Sequence, residues 1–193
     1  MEKYGRTQSA PTMMFDPKLH HRHSIRLKGY DYSNHGAYFV TICSYEKKCL
    51  FGAIVGGKMV LNDLGKIVET EWIKSGEMRK DVVLYQFVVM PNHFHGIVLL
   101  TRDIVGADCV RPHSPADSVH PKLTELGKMV AGFKSAVSSK LKKSGFIGDV
   151  WQRNYYEHII RNEEELISIV QYTEQNPLNW LKDSLYSVHE AEK

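Results

Sequence analysis

The chain has 193 residues, 42% of them hydrophobic and 24% charged, with a formal net charge of +3. This is the composition of an ordinary globular protein large enough to bury a core, which excludes wholesale disorder, collagen and coiled coil. No run approaches the ~18 apolar residues of a membrane span, residues 1–15 lack the apolar stretch of a signal peptide, and Cys43, Cys49 and Cys109 form no CxxC pair, so no membrane partner, disulfide framework or cysteine zinc site is indicated and a cytoplasmic location is expected.

The first 30 residues are polar, include HHRH at 20–23, and carry six Lys/Arg against two acids, which predicts a basic arm over 1–30. Residues 38–43 (YFVTIC) form a β-branched and aromatic run expected to be a buried strand. Gly52, Gly56 and Gly57 then separate short apolar pieces around Ile54 and 59–61. Asn62 or Asp63 can cap a helix on which Leu64, Ile67, Val68 and Trp72 recur at helical spacing, ending near Gly76. Residues 82–90 (VVLYQFVVM) and 93–100 (HFHGIVLL) read as two strands joined by a tight turn at Pro91-Asn92.

From 102 to 121 periodicity is lost and prolines accumulate, as in a surface loop. Residues 123–141 predict a helix with Leu126, Val130, Phe133, Val137 and Leu141 on one stripe, and lysines elsewhere around it. A short strand at 156–160 precedes a further helix capped by Asn162, with Glu165 in a capping-box position and Pro177 as its end. The order strand, helix, strand, strand, helix, strand predicts an α/β (α+β) fold. It is the βαββαβ split sandwich of a ferredoxin-like domain, with an antiparallel sheet and one added C-terminal helix. The expected division is an arm over 1–30, one domain over 31–182 with the loop 102–121, and a tail over 183–193.

Two groups of residues carry chemistry. In a strand, positions i and i+2 share a face, so His93 and His95 project together while Phe94 points away. Two neutral imidazoles side by side make a half-site for a divalent cation, although a histidine beside a hairpin turn also serves structure alone. On the last helix Glu165, Tyr172 and Asn176 fall on one flank of the buried stripe, and Tyr172 and Asn176 are neighbours at i,i+4. A phenol next to a ligating oxygen, laid across a strand with two histidines, would set a nucleophile beside a metal. The plainer alternative is a boundary aromatic and a helix-ending asparagine.

The charge is unevenly spread. Residues 121–161 hold eight Lys/Arg against three acids, and 162–193 hold two against seven. Basic tracts are the electrostatic footprint of a nucleic-acid surface, though a solvated lysine face gives the same count.

MPNHFHGIVLL (90–100), followed by WQRNYYEHIIRNEEELISIVQYTEQNP (151–177), resembles the single-tyrosine HUH transposases of the insertion-sequence-200-like superfamily. The branch it resembles within that group is the REP-associated tyrosine transposases, which SIRLKGYDYSNHGAYFVTIC (24–43) and the FG that follows it also resemble. The likeness covers roughly residues 24 to 182, and its most specific parts are the PNHxH turn and the tyrosine four residues before an Asn-Pro.

The resemblance implies a metal held by His93, His95 and Asn176, and a nucleophile at Tyr172. Asparagine departs from the glutamine familiar at that third-ligand position in the wider superfamily, which leaves Gln175 and Glu165 as alternative ligands or proton-transfer groups. Tyr155 and Tyr156 are rival nucleophiles, without a ligand-capable residue one turn later. A divalent ion, Mg²⁺ or Mn²⁺, would polarise the scissile phosphate while Tyr172 forms a covalent 5′-phosphotyrosine and releases a 3′-hydroxyl.

The implied partner is single-stranded DNA beside an imperfect, REP-type hairpin. Arg22, Arg26, Lys28, Lys134, Lys140, Lys142, Lys143 and Arg153 are candidate phosphate contacts, and Trp151, Tyr155 and Tyr156 either stack on bases or pack under the last helix. A homodimer and a monomer are both compatible with the resemblance. Two other readings stand beside it: a domesticated protein that binds DNA hairpins without catalysis, and a hydrolytic metal-dependent phosphoesterase.

Overall fold

The computed structural model describes residues 36–101 and 124–186. The expected arm at 1–30 with Arg22, Arg26 and Lys28, the loop at 102–121 and the last residues of the tail lie outside them.

Strand β1 (Gly36–Cys43) runs two residues longer at its start than its aromatic core implies. A short hairpin follows, β2 (Gly52–Val55) and β3 (Lys58–Leu61), where the sequence suggested only apolar pieces between glycines. Gly56 and Gly57 make its turn with φ of 58° and 75°, a left-handed geometry that glycine adopts without strain. Helix α1 (Asp63–Glu77) is capped by Asn62, whose side-chain oxygen accepts from Gly65 N at 2.9 Å. Strands β4 (Val82–Val89) and β5 (His93–Leu100) flank the expected turn at Pro91-Asn92. Helix α2 (Glu125–Lys143) is capped by Thr124, strand β6 spans Tyr156–Ile160, and helix α3 (Glu163–Gln175) starts from the Asn162 cap.

The four longer strands form one antiparallel sheet in the order β4-β5-β1-β6. Counting only these strands, the second and third lie together, the first beside the third, and the fourth outermost next to the first. That is the connectivity of the ferredoxin-like split sandwich, with β2 and β3 as an inserted hairpin.

The period of two along each strand sends alternate residues to opposite layers. Tyr38, Val40 and Ile42 of β1 and Phe94 and Val98 of β5 are buried on the face covered by α1 and α2. There Trp72 of α1 lies 4.5 Å from the Phe94 ring, and Phe133 of α2 lies 5.5 Å from it. Gly96 leaves room for this contact, since a Cβ at that position would stand 2.6 Å from Trp72 Cζ2. The other face presents Phe39 and Thr41 beside His93, His95 and Ile97, and is crossed by α3. One strand pair therefore serves the apolar core on one side and polar chemistry on the other.

Candidate active site

The site begins at the end of the sheet where β1 and β5 pair Cys43 with His93 and Thr41 with His95. Both imidazoles project to the α3 face, as the i,i+2 spacing requires, with ring centroids 4.5 Å apart. Each Nδ1 has a partner at 2.8 Å: Asn92 Oδ1 for His93 and Thr41 Oγ1 for His95. Each Nε2 is buried and makes no hydrogen bond.

Burial holds His93 down at a pKa of about 3, helped by the positive charge of Lys47. His95 is likewise held at about 3 by burial, with His93 adding to the effect and the Asp183 carboxylate opposing it. Both rings are therefore neutral at pH 7, the state in which imidazole donates to a metal.

Helix α3 lies over this pair. Thr173, fully buried, faces inward and returns its hydroxyl to Ile169 O at 2.8 Å. One position earlier Tyr172 is 45% exposed, so its ring reaches the site while one side stays open to solvent. The ring meets His95 at 5.5 Å, and Phe39 stacks on His95 at 5.0 Å while touching Tyr172 edge-on at 6.1 Å. Burial raises the phenol pKa, and so does the Asp183 charge, while a hydrogen bond with Asn176 pulls the other way. The phenol is protonated at neutral pH.

Asn176 ends α3 just before Pro177 and is almost fully buried. Its Nδ2 donates to Asp183 Oδ2 at 3.0 Å, and its Oδ1 is buried with no hydrogen-bond partner. Asp183 follows a one-turn helix at Trp180–Lys182. Its Oδ2 comes within 3.9 Å of His93 Nε2, and its Oδ1 accepts from Leu185 N at 2.6 Å. One ligand atom from each of His93, His95 and Asp183 lies within 4.8 Å of the others.

Buried polar atoms in native proteins are rarely left without partners. Two imidazole nitrogens and one carboxamide oxygen are orphaned here beside a carboxylate, and all are donors that a divalent cation accepts. These residues fit such an ion.

The structure thus gathers His93, His95, Tyr172 and Asn176, and adds Asp183, Asn92, Thr41 and Phe39. Asp183 carries no sequence signal, because it follows the helix and belongs to no periodic pattern. Asn92 reads in sequence as a turn residue.

Glu165 is placed elsewhere. Its carboxylate accepts from Arg161 N at 2.7 Å and pairs with His158 Nε2 at 2.7 Å, closing the N-terminus of α3. Those bonds hold its pKa low. Gln175 is exposed at the C-terminus of α3, and Tyr156 is exposed on the edge strand β6.

The candidate DNA-binding cations also divide. Lys134 turns inward, with Nζ donating to the carbonyls of Gln152, Arg153 and Asn154 at 2.6, 3.3 and 3.2 Å. Lys140 pairs with the buried Glu71 of α1, which Lys74 also approaches at 3.6 Å. Lys142, Lys143 and Arg153 are exposed. Arg153 follows a segment that runs along the histidine end of β1, where Ser44 bridges to Trp151 and Gln152 N donates to Cys43 O at 3.0 Å. Trp151 itself packs between Phe51 and Phe133, so its ring belongs to the core. Among the described residues no helix is long and apolar enough to cross a membrane.

Comparison with protein-family models finds no match. An uncharacterized protein of Haemophilus influenzae (strain ATCC 51907 / DSM 11121 / KW20 / Rd) is 42% identical over 177 residues, covering 91% of this chain and 98% of that protein. The chain belongs to the family of that Haemophilus protein. Among solved structures, a REP-associated tyrosine transposase bound to a REP hairpin superimposes with a TM-score of 0.52 at 18% identity, over 87% of this chain and 93% of the other. The fold is therefore REP-associated-transposase-like, in keeping with the resemblance noted in the sequence.

Proposed function

We propose that this protein is a metal-dependent single-stranded DNA transesterase of the single-tyrosine HUH kind, which nicks and rejoins DNA beside hairpin, REP-type repeats through a 5′-phosphotyrosine on Tyr172. The observation that carries this reading is the convergence of three buried, unpartnered donor atoms with a half-exposed phenol. The atoms are His93 Nε2, His95 Nε2 and Asn176 Oδ1, and the phenol is Tyr172, in contact with His95. The structural likeness to a transposase solved with a REP hairpin supports the choice of substrate.

His93, His95 and Asn176 would hold the ion, with Asp183 near enough to contribute an oxygen. A bound Mg²⁺ or Mn²⁺ supplies Lewis acidity at the scissile phosphate. The chain's own residues do the rest. Phe39 and His95 pack against the Tyr172 ring and aim it, so the attacking oxygen is positioned before the substrate arrives.

Tyr172 Oη forms a bond to phosphorus as the bond from phosphorus to the 3′ oxygen breaks. The phenol loses its proton and the departing 3′ oxygen gains one. Attack by a 3′-hydroxyl on the phosphotyrosine reverses the sequence and rejoins a strand, so the phosphodiester energy is retained in the protein–DNA bond. Lys142, Lys143 and Arg153 are the exposed cations available to the DNA backbone.

Incubation of the protein with labelled, hairpin-flanked single strands and Mg²⁺ or Mn²⁺ tests the reading. A denaturation-resistant protein–DNA adduct that disappears in Tyr172→Phe is the expected result. Cleaved product without an adduct would assign hydrolysis instead, and binding without cleavage would assign a hairpin-binding module. Normal cleavage by Tyr172→Phe would remove Tyr172 from the reaction.

A further inference from the structure

Asn92 sits in the two-residue turn between β4 and β5 and is fully buried. A turn alone asks little of this side chain, yet every hydrogen-bonding end of it is used. Its Nδ2 donates to Lys47 O at 3.2 Å and to Leu185 O at 2.8 Å. Carbonyl oxygens only accept, so these two partners decide which end of the carboxamide faces them. The oxygen end is thereby turned to His93, with Oδ1 at 2.8 Å from Nδ1. Because Oδ1 also only accepts, the proton of that bond belongs to His93 Nδ1. A neutral imidazole with a proton on Nδ1 carries its lone pair on Nε2. That is the buried atom with no hydrogen-bond partner, beside Asp183.

We propose that Asn92 is a positioning residue for His93, holding the imidazole as the Nδ1–H tautomer and fixing the ring so that Nε2 is presented as a metal donor. The proposal rests on the metal-site reading above. His95 makes the contrast: its Nδ1 partner is the Thr41 hydroxyl, which both donates and accepts and so leaves that tautomer undecided. The Asn92 amide also joins parts of the chain far apart in sequence. Lys47 lies 45 residues before it and Leu185 93 residues after it. Leu185 N in turn binds Asp183 Oδ1 at 2.6 Å. One buried side chain therefore sets the orientation of a histidine and ties down the segment that brings Asp183 to it.

The first test needs neither metal nor DNA. Long-range ¹H–¹⁵N spectra of the full-length, metal-free protein at neutral pH read the protonation of each ring nitrogen, and His93 is expected to show a protonated Nδ1 and a bare Nε2. An Nε2–H tautomer at His93 would overturn the proposal, whatever the protein does to DNA. Titration with Mn²⁺ alone then compares two variants. Asn92→Asp keeps an acceptor for Nδ1 while losing both donors, and is expected to keep the Nδ1–H tautomer while loosening the Leu185 segment. Asn92→Ala removes the acceptor and is expected to weaken Mn²⁺ binding about tenfold or more, with the fixed tautomer lost. Equal Mn²⁺ affinity in Asn92→Ala and wild type would overturn the proposal, as would loss of the Nδ1–H tautomer in Asn92→Asp or its retention as the single form in Asn92→Ala. If the tautomer is as expected but no covalent adduct forms on DNA, the transesterase reading fails while the role of Asn92 stands.

Discussion

Asn176 Nδ2 donates to Asp183 Oδ2 at 3.0 Å, and this bond turns the other end of the carboxamide, Oδ1, into the buried site as an unpartnered donor. A helix-ending asparagine thus becomes a candidate ligand only because a residue beyond the helix holds it by its nitrogen. Asp183→Ala is expected to lower Mn²⁺ affinity by about 10–100-fold, the usual effect of removing a group that orients a ligand. Calorimetric titration measures it. Unchanged affinity would show that Asp183 neither ligates the ion nor orients Asn176.

The two histidines give the fold a pH dependence of known sign. Their pKa values are about 3 in the native state against 6.5 for the free side chain, with burial the largest cause for each. Between these values the unfolded chain binds protons that the native rings refuse. Their contribution to stability is therefore complete above about pH 6.5 and is lost as pH falls toward 3. Urea midpoints of the metal-free protein across this range should fall with acidity. The double variant His93→Gln, His95→Gln should show a flatter profile, and an identical slope would contradict the burial argument. Added Mn²⁺ should raise the wild-type midpoints and steepen the profile only near pH 3, where protons begin to compete with the metal for the same nitrogens.

Gly96 marks the other face of the strand that carries the histidines. A Cβ there meets Trp72 Cζ2 at 2.6 Å and Phe94 Cε1 at 2.9 Å, so one of these two fully buried rings must shift to admit it. Gly96→Ala is expected to destabilise by about 1–3 kcal/mol through overpacking. Thermal unfolding tests this, and an unchanged Tm would mean that Trp72 has another rotamer available.

The lysines of α2 should separate by measurement. Lys134→Met removes a donor to three backbone carbonyls and is expected to destabilise the fold by about 1–3 kcal/mol. Lys142→Ala and Lys143→Ala should leave stability within about 0.5 kcal/mol. Each should weaken single-stranded DNA binding and reduce its salt dependence, by about 0.7 in the slope of log K against log salt. Chemical denaturation and binding at several salt concentrations distinguish the two classes. A destabilised Lys143→Ala, or a Lys134→Met variant altered only in DNA binding, would reverse the assignment.

Much of this architecture is legible in the chain because it follows from local periodicity. Alternation along 93–100 already places His93 and His95 on one face, and the i,i+4 spacing already places Tyr172 next to Asn176. Asn62 and Asn162 announce their helices by capping chemistry, and both accept from the backbone three residues on. The β2–β3 hairpin is less legible, since four-residue strands offer too few alternations to stand out between glycines.

Even the +3 charge is a sequence property whose meaning depends on the fold. Lys134 and Lys140 look in sequence like the exposed Lys142 and Lys143, yet one is spent on backbone carbonyls and the other on Glu71. Capping and periodicity act within a few residues, so they can be read without knowing the fold. The partners that complete the site lie 45 residues from Asn92 at Lys47, 54 between Thr41 and His95, and 93 from Asn92 at Leu185. No local rule relates such positions. The sequence by itself determined which elements form and which side chains point together. Only packing the sheet between α1/α2 and α3 decided that Asp183 and Asn92 would orient the donors, because hydrogen bonds over those separations exist only once the chain has closed on itself.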